Sequence, residues 1–433
     1  MATSRLRKYA RALSSRQFSS LSEHNYKVFF FGQVISLVGT WMQSVGLAWL
    51  VLEITGSSVS LGIVTTLQFL PMLLFALVSG VIADRLPKRP TLVIVQSFAL
   101  IVSAVLGALT VAGVVELWHL YVLAFCSGLA SAIERPVRQS FYFELVGRDK
   151  LPNAVALHST ILNGSRVLGP ALAGLVIATT DVSLTFVINA ASYVAVLYGY
   201  ALMRPSHYYA SVSKAGKGSI LRQIAEGLKY AATVPSATFV FILIAFIGTF
   251  GYNFNVVVPL IAKFVLHSGP AQFGLMTSAL GLGSLAAAVI QAGAGARSPR
   301  FLTIAGAAFC VFFATLAFSR WYALTAVALA LTGASGTMLM TSANTTLQME
   351  APDHLRGRVV SIYLLLMAGS TPVGGFLTGW WSELMGVRGA LGVEAALCAV
   401  GVGIAERYRL LKQRTPSEPV TAADDATVGT EAG

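Results

Sequence analysis

Few residues of this chain can do chemistry, and three charged ones stand out by where they fall. Arg166 interrupts the apolar stretch 153–178. A charge about halfway along a membrane crossing costs about 2.5–3.5 kcal/mol on insertion scales and survives only against a cavity or a partner. Two readings of it stay open. It is a handle for an anionic or catecholate-like molecule, or a switch coupling that molecule to a proton; alternatively it is an interior brace held by backbone carbonyls or Asn163. Asp84 belongs to a charged clasp, Gly80-Val-Ile-Ala-Asp84-Arg85-Leu-Pro-Lys88-Arg89, between two long apolar stretches. Its carboxylate can accept hydrogen bonds from a neighbouring helix N-terminus and pair with Arg138 or Arg358, locking that side shut, with Gly80 allowing close helix approach. The plainer reading is a basic loop with an incidental Asp. Glu394 is the one carboxylate expected well inside a crossing and is a candidate proton site, unless its short stretch, 388–405, places it near the membrane surface.

Uncharged groups complete the inventory. Gln33, Gln43, Gln68, Asn253, Asn255 and Asn344 offer amides to a central cavity, or equally to interhelical hydrogen bonds worth about 0.6 kcal/mol each. Trp41, Trp49, Phe250, Tyr252 and Phe254 offer stacking faces. The six His are scattered, and Cys126, Cys310 and Cys398 form no Cys-x-x-Cys pair, so neither a metal site nor a disulfide is expected. The phosphate-cradling Gly-x-x-x-x-Gly-Lys-Ser/Thr loop is missing from the sequence. The chain therefore reads as no enzyme, with no cofactor and no direct use of ATP.

The elements that must position these groups are set by composition. Charged residues are 11% of the chain and hydrophobic ones 55%, against about 25% charged in soluble proteins. A crossing helix needs roughly 20 apolar residues. Twelve such stretches fit, at 27–52, 59–83, 90–113, 118–138, 153–178, 182–203, 237–262, 270–293, 300–319, 322–346, 359–381 and 388–405. The stretch 90–113 is a continuous run without charge, whereas membrane barrel strands alternate, so the fold is all-α. With the N-terminus inside, all 30 Lys and Arg except Lys263, Arg320, Arg388 and Arg166 fall on the cytoplasmic side, as the positive-inside rule requires. The net charge of +12 then faces anionic membrane lipid rather than nucleic acid.

The expected organisation is a basic N-terminus (1–25) with a lipid-facing amphipathic helix at Leu6, Tyr9, Ala10 and Leu13, a six-helix half (26–203), and a cytoplasmic linker (204–235) with a short helix at Ile220, Ile224 and Leu228. A second half (236–408) and an acidic, disordered tail (409–433) follow. Self-similarity relates the halves: Asp149-Lys-Leu151-Pro152 recurs as Asp353-His-Leu355-Arg356, and Gly169-Pro170 with Gly174 recurs as Pro372 with Gly374 and Gly375. Both halves start inside, so the repeats are parallel. Gly32, Gly39 and Gly46 share one face of the first crossing, which is expected to pack closely on another helix.

These residues resemble a known family. Gly80, Asp84, Arg85 and Arg89 between crossings two and three are similar to the signature loop of the major facilitator superfamily. The run Gly164-Ser-Arg166-Val-Leu-Gly169-Pro170-Ala-Leu-Ala-Gly174 resembles the antiporter motif of its exporters. Gly39-Thr-Trp41-Met-Gln43, Arg135-Pro-x-Arg138-Gln and Pro352-Asp-x-x-Arg356-Gly-Arg358 resemble the branch of the enterobactin exporter and related "transmembrane secretion effector" permeases. The resemblance implies a monomeric secondary transporter in the bacterial cytoplasmic membrane, with both termini cytoplasmic. It would export a small siderophore-like or drug-like amphipathic molecule by alternating access, against protons. A nutrient importer or uniporter, and a non-transporting sensor or scaffold, are the competing readings. Ala124 stands where drug/proton antiporters carry an arginine in crossing four, and Ala296 stands opposite Asp84 in the second half, so proton coupling through the first and symmetry of the clasp are both in question.

Overall fold

The computed structural model describes residues 18–209, 234–293, 295 and 297–414, and its regular structure is entirely helical. The helices are α1 (His24–Thr55), α2 (Ser58–Leu74), α3 (Ala76–Arg85), α4 (Lys88–Val111), α5 (Leu117–Thr179) and α6 (Ser183–Ala201). The second half follows as α7 (Pro235–Gly251), α8 (Phe254–Leu260) with a π-turn at Ile261–Val265, α9 (Pro270–Gln291), α10 (Pro299–Phe318), α11 (Tyr322–Glu350) and α12 (Asp353–Arg414). The expected helices at Leu6–Leu13 and Ile220–Leu228, and Ala296, lie outside the described residues. Helix continues through Arg414, past the point where the tail was expected to begin; the rest of the tail also lies outside.

Local chemistry sets these boundaries. Gly56 ends α1 in the left-handed conformation (φ 61°), which costs glycine little. The Ser57 hydroxyl accepts from the Ser60 amide at 3.3 Å to start α2. Pro71 sits inside α2, where its ring removes a hydrogen bond, and the axis bends by 57° into α3. Pro235, Pro270 and Pro299 occupy first turns, where the missing amide is harmless.

Nine helices are long and apolar enough to cross a membrane among the described residues, ten when α2 and α3 count as one bent crossing. The 63-residue α5 and 62-residue α12 would each reach about 90 Å if straight, about three times a bilayer core. Each is instead interrupted by a glycine of positive φ, Gly147 (68°) and Gly386 (77°). Before Gly147 the chain runs alongside α2, Gly128 lying on Gln68 and Arg135 reaching Met72. After it the chain follows α1 instead, Ala154 meeting Tyr26 and Gly169 meeting Trp41. The direction has therefore reversed. At Gly386 the same follows from Thr378 and Glu394, which lie equally far on either side and bond to each other.

Lys150 with Glu23, Lys88 near Glu144, and Asn25 with Arg204 meet at one end of the bundle, the basic end. An aromatic core of Tyr26, Phe29, Phe141, Tyr142 and Tyr200 fills the first half there. The face of Gly32, Gly39 and Gly46 packs on α6, against Val196, Ser192 and Thr185.

The halves meet along two seams. On the first, α2 lies on α12, from Ser58 beside Glu383, through Gly62 against Gly375 and Gly379, to Leu73 beside Gly369. On the second, α5 lies on α9, with Gly174 against Gly274 and Gly281 against the Arg166 backbone. Both seams are tightest at the end opposite the basic one; towards the basic end α3 packs on α5 of its own half.

Candidate functional site

Arg166 lies on the second arm of α5, at the inner limit of the α5–α9 seam. Its guanidinium sits over the Trp41 ring, 5.4 Å from the centroid, a contact worth about 0.5–2 kcal/mol. The side chain is half-buried. Asn163 is not the brace: its amide donates to the Ser159 carbonyl at 2.8 Å. Gly169 lies against Trp41, where a Cβ would stand 2.4 Å from the tryptophan Cβ, and Gly174 and Pro170 lie against α9. The antiporter-like run thus holds Trp41 on one side and the other half of the molecule on the other.

The candidate amides separate into two groups. Gln43 accepts from Ser103 and from Asn189, both at 2.7 Å, in the interior of the first half. Gln33 is buried and accepts from Arg138 at 3.1 Å. Asn253 donates to the Thr249 carbonyl at 2.7 Å beneath Gly374. Those three serve helix packing. Gln68, Asn255 and Asn344 stay half-buried, and Asn344 accepts from Gln348 at 3.1 Å.

The basic end holds a denser polar cluster. Arg138 is 8% exposed and lies 3.0 Å from the Glu134 carboxylate one turn earlier, an ion pair without hydrogen-bond alignment at Nε. Around it Gln33 Nε2, Tyr142 Oη, Tyr200 Oη and His158 Nδ1 are buried without hydrogen-bond partners. Arg89 donates to the Tyr200 carbonyl at 3.0 Å, tying the start of α4 to the end of α6. Asp84 and Arg85 are exposed at the end of α3, and Arg358 is half-buried on α12. Gly80 does not mediate a close approach: a Cβ there would meet nothing within 4 Å.

The opposite end carries a latch between the halves. Glu383 of α12 accepts from the Ser58 amide at 3.0 Å and the Ser57 hydroxyl at 3.4 Å, capping the positive N-terminus of α2. Lys263, in the π-turn after α8, donates to the Leu52 carbonyl at 2.7 Å, capping the negative C-terminus of α1, and lies over Trp49. A cavity of about 570 Å³ at this rim is lined by Ser58, Phe264, His267, Glu383 and Arg388. Nearby, between α5 and α6, hydrogen bonds from the Ser183 hydroxyl and amide hold the Asp181 carboxyl below the usual carboxylate range. Glu394 is fully buried between the arms of α12, with one oxygen bonded to Thr378 and the other without a partner.

Glu134, Glu383 and Lys263 are the residues that sequence reasoning passed over. Glu134 had one usable signal, its i,i+4 spacing to Arg138. The other two sit in the rim, where only the tertiary fold pairs them.

Paired helical halves built of apolar, membrane-length helices define a multi-pass membrane protein. Solved structures share this architecture. The nucleoside transporter NupG superimposes with TM-score 0.70 over 89% of this chain and 98% of its own, at 13% identity. A bacterial homologue of the lysosomal transporter Spinster, inward-facing and unoccupied, gives 0.67 over 91% and 98%, at 12% identity. The sequence profile of the family described as "transmembrane secretion effector" matches residues 15–430, and the chain belongs to that family of the major facilitator superfamily. Among curated relatives, the staphyloferrin A transporter of Staphylococcus aureus is 26% identical over 83% of this chain and 90% of its own length. The multidrug efflux pump Tap of Mycolicibacterium fortuitum is 25% identical over 90% and 97%.

Proposed function

We propose that this transporter exports a small amphipathic molecule from the bacterial cytoplasm by alternating access, with the proton gradient as its energy source. The carrying observation is the position of Arg166, a charge at mid-depth where the antiporter-like run meets the opposite half. The efflux function named for the relative Tap supports the same direction, and the staphyloferrin A transporter supports a small-molecule cargo. In this reading the basic end is cytoplasmic, both termini lie there, and α5 and α12 each cross twice, giving twelve crossings. The halves 26–203 and 236–408 rock as bodies joined by the 204–235 linker, and the chain works as a monomer in lipid. The clasp of Gly80, Asp84, Arg85 and Arg89 with Arg138 and Arg358 closes the cytoplasmic side in the alternate state, and the Glu383–Lys263 latch closes the other in this one.

The test is accumulation of a panel of dyes, antibiotics and iron chelators in an efflux-deficient bacterium expressing the chain, with and without a proton uncoupler and with Arg166→Ala. Lowered accumulation that the uncoupler and the variant both abolish is expected. Raised accumulation would replace export with import, and unchanged accumulation of every compound would favour a non-transporting role.

A further inference from the structure

Among the described residues no carboxylate pairs with Arg166. Of the carboxylates on the crossings, Glu394 lies well inside one and Glu134 towards the basic end of another. Glu134 is committed to Arg138 and Glu394 to Thr378. Among the described residues, the Trp41 face is the one direct contact the structure gives the guanidinium. Five N–H donors in a planar fork thus lie over an indole, partly exposed where α1, α5 and α9 meet. Gly281 lies directly on Arg166, where a Cβ would stand 2.7 Å from the carbonyl oxygen and 3.2 Å from the side-chain Cγ, so the stem of the side chain starts against α9 and its guanidinium reaches Trp41 on α1.

Such a group is preorganised. The contact with the ring restricts the side chain, so less conformational freedom is lost when an anion docks. A carboxylate matches the fork bidentately, and an apolar body joined to it continues across the indole. A cation in the same place would meet an uncompensated like charge.

We infer that the Arg166–Trp41 pair is the substrate-binding group and that it selects an amphipathic molecule bearing a carboxylate, the substrate supplying the missing counter-ion. This rests on the transport reading for its physiological meaning, but the binding site is testable apart from direction or energy source.

The experiment is equilibrium binding to the purified full chain in lipid nanodiscs, using 1-naphthoate, its uncharged amide 1-naphthamide, and tetraphenylphosphonium. The acid is expected to bind at least about tenfold tighter than the amide, the scale of one charge-assisted hydrogen-bonded pair, and the cation more weakly than either. Arg166→Gln should erase the difference between acid and amide, with the size-exclusion profile unchanged. Arg166→Lys should restore part of it, keeping charge without the fork. Equal binding of acid and amide, preference for the cation, failure of the acid to bind, or discrimination that survives Arg166→Gln would each overturn the proposal. An efflux assay with the same compounds separates the two claims. Acid-selective binding without efflux sinks the export reading and leaves the site standing; efflux of the cation alone does the reverse.

Discussion

At the scale of single residues, membrane depth gives buried polar groups two fates here, pairing within one half or service at the seam. The Glu134–Arg138 pair is of the first kind, with exposures of 14% and 10% for its side chains. Removing one partner of a buried pair strands the other and costs about 3–5 kcal/mol, whereas replacing both is far milder. Thermal unfolding in detergent should therefore show a larger loss for Arg138→Gln or Glu134→Gln alone than for the double variant. Asn189→Ala should lower stability by about 1 kcal/mol, since it removes one of two donors to Gln43. Arg166 stood out in the sequence as the one charge inside the stretch 153–178. Glu134 did not, because beside Arg135 and Pro136 it reads as the polar edge of a crossing. Gln43 and Asn189 are 146 positions apart, and amide spacing alone does not say which amides face one another.

At the scale of elements, apolar stretches found nearly every helix. They missed the shape of two. The α2–α3 bend falls in an uninterrupted apolar run, where mean hydropathy is blind to the hydrogen bond lost at Pro71. The region between residues 138 and 153 reads as a loop in sequence, yet helix continues to Gly147 and resumes at once, because these helices project beyond the apolar core and complete their own backbone hydrogen bonds. The latch belongs to this scale because it is made of helix termini. Glu383→Gln weakens one charge–terminus contact worth about 0.3–1 kcal/mol. It should therefore raise maleimide labelling of Thr65→Cys, a buried position facing Gly375 on the seam, by about two- to fivefold in a background lacking native cysteines. An unchanged labelling rate would remove the latch from the gating scheme.

At the scale of the molecule, the two seams share one device, glycine against glycine. A Cβ on Gly62 would stand 2.8 Å from the Gly375 carbonyl, and one on Gly174 would stand 2.6 Å from the Pro270 carbonyl. Backbone against backbone cannot yield as a side-chain tip can, so Gly174→Val should wedge the halves apart at the end they now close. Spin labels placed across that rim should show a longer distance, with transport lost and the fold retained.

The two-pin construction of the rim carries a further consequence. Glu383 and Lys263 come from one half and grip the two ends of a single turn, Leu52 to Ser58, in the other. With either pin gone the turn can still swivel about the remaining one, so release has a sequence rather than a single threshold. Glu383 is exposed, and its grip is set by whatever ions bathe that face, where the Debye length shrinks from about 30 Å at 0.01 M to about 3 Å at 1 M. Salinity thus becomes a tuning knob for posture: the same rim labels should drift apart as salt rises on that side alone, making the resting stance of the transporter a property of its surroundings as well as of its cargo.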